Sequence, residues 1–264
     1  MAANYQFLTV ERQGGVERVT LNRPDVRNAF NEHVIADLSA WARRAHDDPP
    51  RVVVLGGAGK VFSAGANAAW MAKMAGYSHD DNVNDARAAA AMFLAINSVP
   101  AIVIGRIHGA ALGGGSGLAA VCDIVVTEPD AVFGFTETKL GILPAIISPY
   151  VLQKIGASAA RELFLTGRRF DAAKAKQIGL VHEIVDAGQL DVAVDRQIAE
   201  ALSAAPTAVA RAKQLIPNVL GKSPVDVIGI TAEAIAAQRV SPEGQEGLRA
   251  FLDKRTPAWT PKQK

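Results

Sequence analysis

Three short and almost wholly apolar runs in the first half of the chain constrain its fold more than any other feature. They are residues 52–55, 101–104 and 124–126. Short apolar runs of this kind, especially where glycines close them, are typical of strands buried on both faces. Residues 34–45 show helical spacing of apolar side chains and residues 85–97 are rich in alanine, so predicted strands and helices alternate. This alternation predicts an α/β core.

The first residues predict a hairpin and a capped helix. Residues 7–12 and 16–21 have strand character and flank the turn residues Gly14 and Gly15. Asn31 is suited to cap the helix that follows. We expect its buried face to consist of Val34, Ile35, Leu38, Trp41, Ala42 and Ala45.

The last third of the chain is different, because helical patterns dominate from residue 160 onward and only residues 180–185 resemble a strand. The predicted helices have no strands between them and span 190–203, 207–219, 224–238 and 242–252. Their apolar faces must pack on the core or on another subunit. We therefore expect an α/β core with the ligand site over residues 1–200 and a helical region over residues 201–264.

Composition excludes several classes of protein. The formal net charge is only +2 over 264 residues and no dense basic cluster occurs, which argues against a nucleic-acid or membrane surface. Cys122 is the single cysteine and cannot form an internal disulfide. The N-terminal residues lack the pattern of a signal peptide, and no apolar run is long enough to span a membrane. A soluble, cytoplasmic protein is expected.

Two glycine-rich segments suggest nucleotide-binding motifs that do not fit. Residues 56–60 read Gly-Gly-Ala-Gly-Lys, but a phosphate loop needs Ser or Thr after the lysine and Val61 follows. Residues 115–120 formally match G-x-G-x-x-A. The next predicted strand begins near residue 124, which leaves little chain for a parallel crossover. Both interpretations are weak.

Residues 62–67 and 108–115 suggest a different site. In both segments small residues permit close approach of the backbone to a ligand, and a helix is expected to begin directly afterwards. Two helix-start N–H groups that converge on one carbonyl oxygen would form an oxyanion hole. Either segment alone would more simply be a tight turn, but the pair favours the oxyanion hole.

The sequence resembles the crotonase (enoyl-CoA hydratase/isomerase) superfamily. The resemblance covers nearly the whole chain in the family's order, through residues 22–30, 62–67, 108–123, 133–144, 165–167 and 179–181. It implies a spiral of β-β-α units with a helical C-terminal trimerisation region. It also implies an acyl-CoA ligand, a homotrimer or hexamer, no metal and no cofactor other than the coenzyme A of the substrate.

The resemblance also carries individual roles to this chain. The oxyanion hole would consist of the backbone N–H groups of Ala66 and Gly114. Residues assigned to binding of the acyl-CoA substrate are Arg27, Ala29, Ala64, Gly65, Asn67 and Ala68. Arg27 and Ala29 would lie near the coenzyme end, and Asn67 would cap a helix where most members have aspartate. Similarity at the C-terminus suggests that the coenzyme phosphates are approached by Phe251, Lys254 and Arg255.

Of the two carboxylates that the family's hydratases carry, this chain keeps one. Glu137 is present, and Gly117 stands where the other glutamate is expected. Finer similarity to bacterial methylglutaconyl-CoA hydratases of leucine breakdown lies in residues 69–71, 77–78, 136–141 and 144–149.

We therefore expect a hydro-lyase that adds water to an enoyl-CoA thioester, with 3-methylglutaconyl-CoA as substrate. Glu137 would move a proton at the α-carbon. Gly117 would make room and reduce repulsion of the substrate's own carboxylate. The alternatives are a 3-enoyl-CoA to 2-enoyl-CoA isomerase, which needs one acid/base group, and a non-catalytic CoA- or RNA-binding protein. Glu137 argues against a silent protein, and the small net charge argues against RNA.

Overall fold

The computed structural model of the chain describes residues 5–261. Its larger sheet has the strand order β1-β2-β3-β4-β6-β9, in which β1 and β2 are antiparallel and all later neighbours are parallel. The strands of this sheet are β1 Leu8–Gln13, β2 Val16–Leu21, β3 Val52–Gly57, β4 Ile102–Ile107, β6 Ile124–Thr127 and β9 Glu183–Ile184. The predicted hairpin and the three predicted buried strands are confirmed.

Helices cover both faces of this sheet. The first seven are α1 Glu32–Asp47, α2 Ala68–Met74, α3 His79–Asn97, α4 Gly114–Val121, α5 Ser148–Thr166, α6 Ala172–Gln177 and α7 Leu190–Ser203. Asn31 caps α1 by accepting a hydrogen bond from Val34 N, and the six residues predicted for its inner face are all buried. One large apolar cluster includes α1, α3 and α4, whereas α7 packs on the opposite face of the sheet. The larger sheet thus separates a large apolar cluster from a smaller one.

A second sheet was not expected from the sequence. Its order is β5-β7-β8, with ranges β5 Ala110–Leu112, β7 Val132–Gly134 and β8 Arg169–Asp171. Each strand has only three residues, too few to show alternation in the sequence. Because β5 belongs to this sheet and ends at Leu112, the sheet holds the residues that directly precede α4.

The chain before residue 124 does make a parallel crossover, so the expectation that too few residues remain for one is wrong. Strands β4 and β6 are parallel neighbours, with Ile104 opposite Ile124. The crossover begins at the end of β4 and contains both β5 and α4, which supplies the length that α4 alone lacks.

The C-terminal helices follow the predicted positions closely. They are α8 Pro206–Val219, α9 Ile228–Arg239 and α10 Pro242–Leu252, and a 3₁₀ helix spans Pro224–Val227. Helix α8 is tied to the core through Lys213 Nζ, which lies 2.7 Å from Asp123 Oδ2. Arg51 donates to the carbonyl oxygens of Leu202, Ala204 and Trp259. A domain boundary near residue 200 stays a prediction.

Many large apolar side chains of this region are exposed to solvent in the single chain. They include Ile216, Leu220, Val225, Ile228, Val240, Leu248, Phe251 and Leu252. Within residues 5–261, no helix combines the length and the hydropathy needed to cross a membrane.

Candidate active site

The two segments of small residues lie side by side. Ser63 and Ala111 form a parallel β-bridge, and Leu112 N donates to Ser63 O at 3.0 Å. Gly65 has a φ of 88°, and a Cβ atom placed on it would lie 2.7 Å from Leu112 O. Glycine is therefore required at this position both by its backbone conformation and by the close approach of the second segment.

Two backbone N–H groups at this junction have no acceptor. Ala66 N and Gly114 N make no hydrogen bond among the residues that the structure describes. Gly114 is the first residue of α4, so its N–H lies beyond the reach of the helix's own carbonyl groups. Ala66 is exposed and stands two residues before α2. Both donors thus stay free for a ligand, as an oxyanion hole requires.

The loop before α1 supports this junction from the other side. Phe30 N donates to Gly65 O at 2.7 Å, and Asn67 N donates to Phe30 O at 2.8 Å. Ala64 N donates to the carbonyl oxygen of Arg27 at 2.9 Å. These bonds fix the residues on both sides of Ala66, so the Ala66 N–H group is held rigidly although it bonds to nothing itself.

Phe30 and Asn28 shape the site, although no role for either residue is predicted from the sequence. The ring of Phe30 would lie 2.8 Å from a Cβ atom on Gly114, so it packs directly on the start of α4. Asn28 is buried in a left-handed conformation, with a φ of 54°. Its side chain donates to Ala58 O and Val61 O and accepts from Arg23 N. Asparagine adopts the left-handed conformation more readily than most residues, so an asparagine at this position is the signal in the sequence that could have indicated it.

Glu137 supplies the carboxylate. It begins a short 3₁₀ helix, Glu137–Leu140, that follows β7. A Cβ atom on Gly113 would lie 3.3 Å from Glu137 Oε1, which places the carboxylate beside the start of α4. The other oxygen, Oε2, is buried and receives no hydrogen bond from the described part of the chain. Burial raises the pKa of Glu137, and its own backbone N–H opposes the shift.

The geometry therefore combines two free N–H donors with one partly desolvated carboxylate. A family model described as enoyl-CoA hydratase/isomerase matches residues 11–262. The chain belongs to the enoyl-CoA hydratase/isomerase family. This confirms the predicted superfamily, the crotonase-type fold and the expectation of an enzyme of the enoyl-CoA hydratase type.

Solved structures of family members superpose closely. An enoyl-CoA hydratase from Shewanella pealeana is 37% identical, with a TM-score of 0.93 and coverage of 97% of this chain and 96% of that one. An enoyl-CoA hydratase/isomerase from Marinobacter aquaeolei is also 37% identical, with a TM-score of 0.91 and coverage of 97% and 100%. A Thermus thermophilus relative whose name contains enoyl-CoA hydratase is 34% identical over 93% of this chain and 97% of its own length.

The remaining residues assigned by resemblance to this enoyl-CoA hydratase/isomerase family are dispersed around the junction. Asn67 caps α2 by accepting from Ala69 N and Trp70 N, which confirms the predicted cap. Ala68, the first residue of α2, is exposed, as is Arg27, whereas Ala29 is buried. Their contacts with a substrate stay predictions.

The three C-terminal residues Phe251, Lys254 and Arg255 lie at and just beyond the end of α10. Phe251 is exposed near the end of α10, and Lys254 follows that helix in a left-handed conformation. Arg255 makes two hydrogen bonds to Glu246, at 2.7 and 2.8 Å. Helix α10, which ends at Leu252, packs on α8 and α9. The approach of these three residues to the coenzyme phosphates stays a prediction.

The space around Gly117 differs from the expectation based on the sequence. It lies in α4, one turn after Gly113, and it is buried. A Cβ atom there would lie 2.3 Å from Ile147 Cγ2 and 3.1 Å from Phe93 Cε1. The expectation that Gly117 leaves room for the substrate is therefore wrong, because Ile147 and Phe93 already fill the space toward which a side chain would point.

Proposed function

We propose that this protein adds water to an enoyl-CoA thioester, with 3-methylglutaconyl-CoA as substrate and 3-hydroxy-3-methylglutaryl-CoA as product, a step of leucine breakdown. The observation that carries the hydration proposal is the position of Glu137, whose Oε1 lies next to Gly113 and thus next to the free N–H of Gly114. A carboxylate and an oxyanion donor that both lie at the start of α4 can act on the same thioester.

The oxyanion hole would act on the thioester carbonyl. Addition of water to the 2,3 double bond places negative charge on that oxygen as the enolate forms. Ala66 N–H and Gly114 N–H would donate to it, and neither donor has to give up another hydrogen bond first. Removal of one such donor typically costs about 2.7–4 kcal/mol of transition-state stabilisation.

Glu137 would carry both proton steps. The ionised carboxylate takes a proton from water while the water oxygen bonds to C3. The protonated carboxyl then returns a proton to C2, and the enolate collapses to the thioester. The sum is addition of H and OH across the double bond, and Glu137 ends in its starting state. Its raised pKa brings the carboxyl closer to neutral pH, where proton transfer in both directions is efficient.

The choice of a dicarboxylic substrate rests on charge and on finer sequence similarity. Gly117 is buried beneath Ile147 and Phe93, so no charged side chain stands where the second glutamate of other hydratases is expected. A substrate with its own distal carboxylate would meet one protein carboxylate in this site instead of two. The similarity in residues 69–71, 77–78, 136–141 and 144–149 points to the same substrate.

We also propose that the exposed apolar side chains of α8–α10 are covered in a homotrimer or hexamer. The coenzyme phosphates would then be bound by basic residues near the subunit contact, among them Lys254. The protein would act in the cytoplasm without a metal or redox cofactor.

An isomerase that converts 3-enoyl-CoA to 2-enoyl-CoA is the rival, since Glu137 alone would suffice to move a proton from C2 to C4. One purified sample should be assayed on 3-methylglutaconyl-CoA, crotonyl-CoA and a 3-enoyl-CoA, with products identified by mass. We expect hydration, with the highest kcat/KM for 3-methylglutaconyl-CoA. Double-bond migration without hydration of any enoyl-CoA would replace the hydratase by the isomerase. A higher kcat/KM for crotonyl-CoA than for 3-methylglutaconyl-CoA would contradict the proposed dicarboxylic substrate.

A further inference from the structure

Ile147 occupies the notch that Gly117 leaves in α4. Its Cγ2 atom lies 2.3 Å, and its Cβ atom 3.0 Å, from the point where a Cβ atom on Gly117 would stand. Ile147 is almost fully buried, with 3% of its surface exposed. The contact is therefore a methyl group seated on bare helix backbone, and no residue other than glycine at 117 permits it.

The same chain segment carries Ile147 and Glu137. Glu137 begins the 3₁₀ helix, and Ile142 N donates back to Glu137 O at 3.2 Å. Ile147 is the residue before α5, and its carbonyl oxygen accepts from Val151 N at 3.1 Å. One end of this connection thus holds the carboxylate, and the other end is fixed on α5.

Helix α4 carries both the notch and an oxyanion donor. Gly117 N donates to Gly113 O at 3.0 Å, so the notch lies one helical turn from the free N–H of Gly114. The Phe30 ring packs on Gly114, and Phe93 packs on both Phe30 and the notch. The seat of Ile147 is therefore rigid with respect to the oxyanion hole.

We propose that Ile147 is a positioning residue, whose Cγ2 methyl group on Gly117 sets the distance between the Glu137 carboxylate and the oxyanion hole. The inference rests on the proposed function, because it takes Glu137 as the group that transfers the proton. On this account Gly117 is a seat for Ile147 and not an emptied catalytic position.

Conservative variants of Ile147 separate positioning from general packing. Ile147→Val keeps both branches at Cβ and thus the methyl group in the notch. Ile147→Leu keeps the volume but has a single carbon on Cβ, so the notch is no longer filled in the same way. We expect kcat of the valine variant to stay close to that of the wild type. For the leucine variant we expect kcat to fall by up to about 10²-fold at nearly unchanged KM, the scale of a 1 Å misplacement.

The pH dependence of kcat is a second measurement, which a change in packing alone would leave unaltered. If Glu137 shifts toward solvent in Ile147→Leu, its pKa falls back toward that of an ordinary carboxyl group. The acid limb of kcat should then move to lower pH in the leucine variant and stay in place in the valine variant. Melting temperatures of both variants show whether they are folded.

Gly117→Ala tests the other partner. Its methyl group must push Ile147 away, so we expect a loss of kcat comparable to that of Ile147→Leu. Gly56→Ala, at a glycine of β3 where an added Cβ atom would meet only Arg106 Cδ at 3.9 Å, is the control and should keep wild-type kcat.

Equal kcat and equal acid limbs for Ile147→Val and Ile147→Leu would overturn the proposal, as would wild-type kcat in a folded Gly117→Ala variant. If Glu137 is not the group that transfers the proton, the result is different, because Glu137→Gln would then keep its activity. If Glu137→Gln is inactive and Ile147→Leu behaves as the wild type, only the positioning role is wrong.

Discussion

Glu137 Oε1 lies 3.3 Å from the position that a Cβ atom would take on Gly113, so the carboxylate approaches the start of α4 over bare backbone. Gly113 has a φ of 51°, which also favours glycine. The positive end of a helix stabilises an anion. The pKa of Glu137 is nevertheless raised, because burial of the carboxylate outweighs the hydrogen bonding from its backbone. The site thus holds a carboxyl group that can both accept and release a proton.

Glu137→Gln should raise the stability of the protein at neutral pH while it abolishes turnover. When folding raises the pKa of a carboxyl group, the protein loses stability as pH rises. The loss begins near the ordinary carboxyl pKa, about 4.3, and continues until pH exceeds the pKa of the group in the folded protein. Glutamine does not ionise, so the difference in melting temperature between variant and wild type should grow with pH across this window. A difference in melting temperature between variant and wild type that is the same at pH 4 and at pH 8 would contradict the raised pKa of Glu137.

Ala66→Pro should lower kcat by about 10²–10³-fold, because proline has no N–H to offer the enolate oxygen. The Ala66 N–H bonds to nothing in the described structure, so its removal costs the fold no hydrogen bond. Ala66→Ser keeps the N–H and should retain most of the activity. A folded proline variant with normal kcat, its secondary structure checked by circular dichroism, would place the oxyanion hole elsewhere.

Much of the fold could be predicted from the sequence because the signals are local. The apolar face of α1, the Asn31 cap and the buried strand β3 each depend on residues close together in the chain. The second sheet could not be predicted, since strands as short as Ala110–Leu112 have no pattern of their own. They form because longer elements bring them together.

The site was predictable to the level of its segments but not of its contacts. The pairing of residues 62–67 with residues 108–115 follows from family resemblance and small side chains. The contact of Gly117 with Ile147 joins residues that are distant in sequence, and nothing near either one announces it. Because of that contact, Gly117 is interpreted as a site packed by Ile147 and not as space left open for the substrate.

The role of charge at position 117 can be tested only where a side chain fits. In an Ile147→Ala background, Gly117→Glu and Gly117→Gln have similar size and differ in charge. If repulsion of the substrate carboxylate matters, glutamate should reduce kcat/KM for 3-methylglutaconyl-CoA more than glutamine does, with no such difference for crotonyl-CoA. Equal effects on both substrates would show that size alone excludes a side chain.

The exposed apolar surface of the C-terminal helices predicts an oligomer. Phe251 and Leu252 are 82% and 76% exposed in the single chain. Light scattering at micromolar concentration should give the mass of a trimer or a hexamer. The double variant with Phe251→Asp and Leu252→Asp should give a lower mass, because charged side chains would disfavour the subunit contact. A wild-type monomer would contradict the proposed assembly.

The most direct test of hydration by Glu137 is turnover of 3-methylglutaconyl-CoA in ¹⁸O-labelled water, followed by mass spectrometry of the thioester. The mechanism predicts one ¹⁸O atom in the product of the wild type, because the water oxygen bonds to C3, and no labelled product from Glu137→Gln. A wild-type product of unchanged mass with a shifted double bond, or labelled product from Glu137→Gln at the wild-type rate, would contradict it.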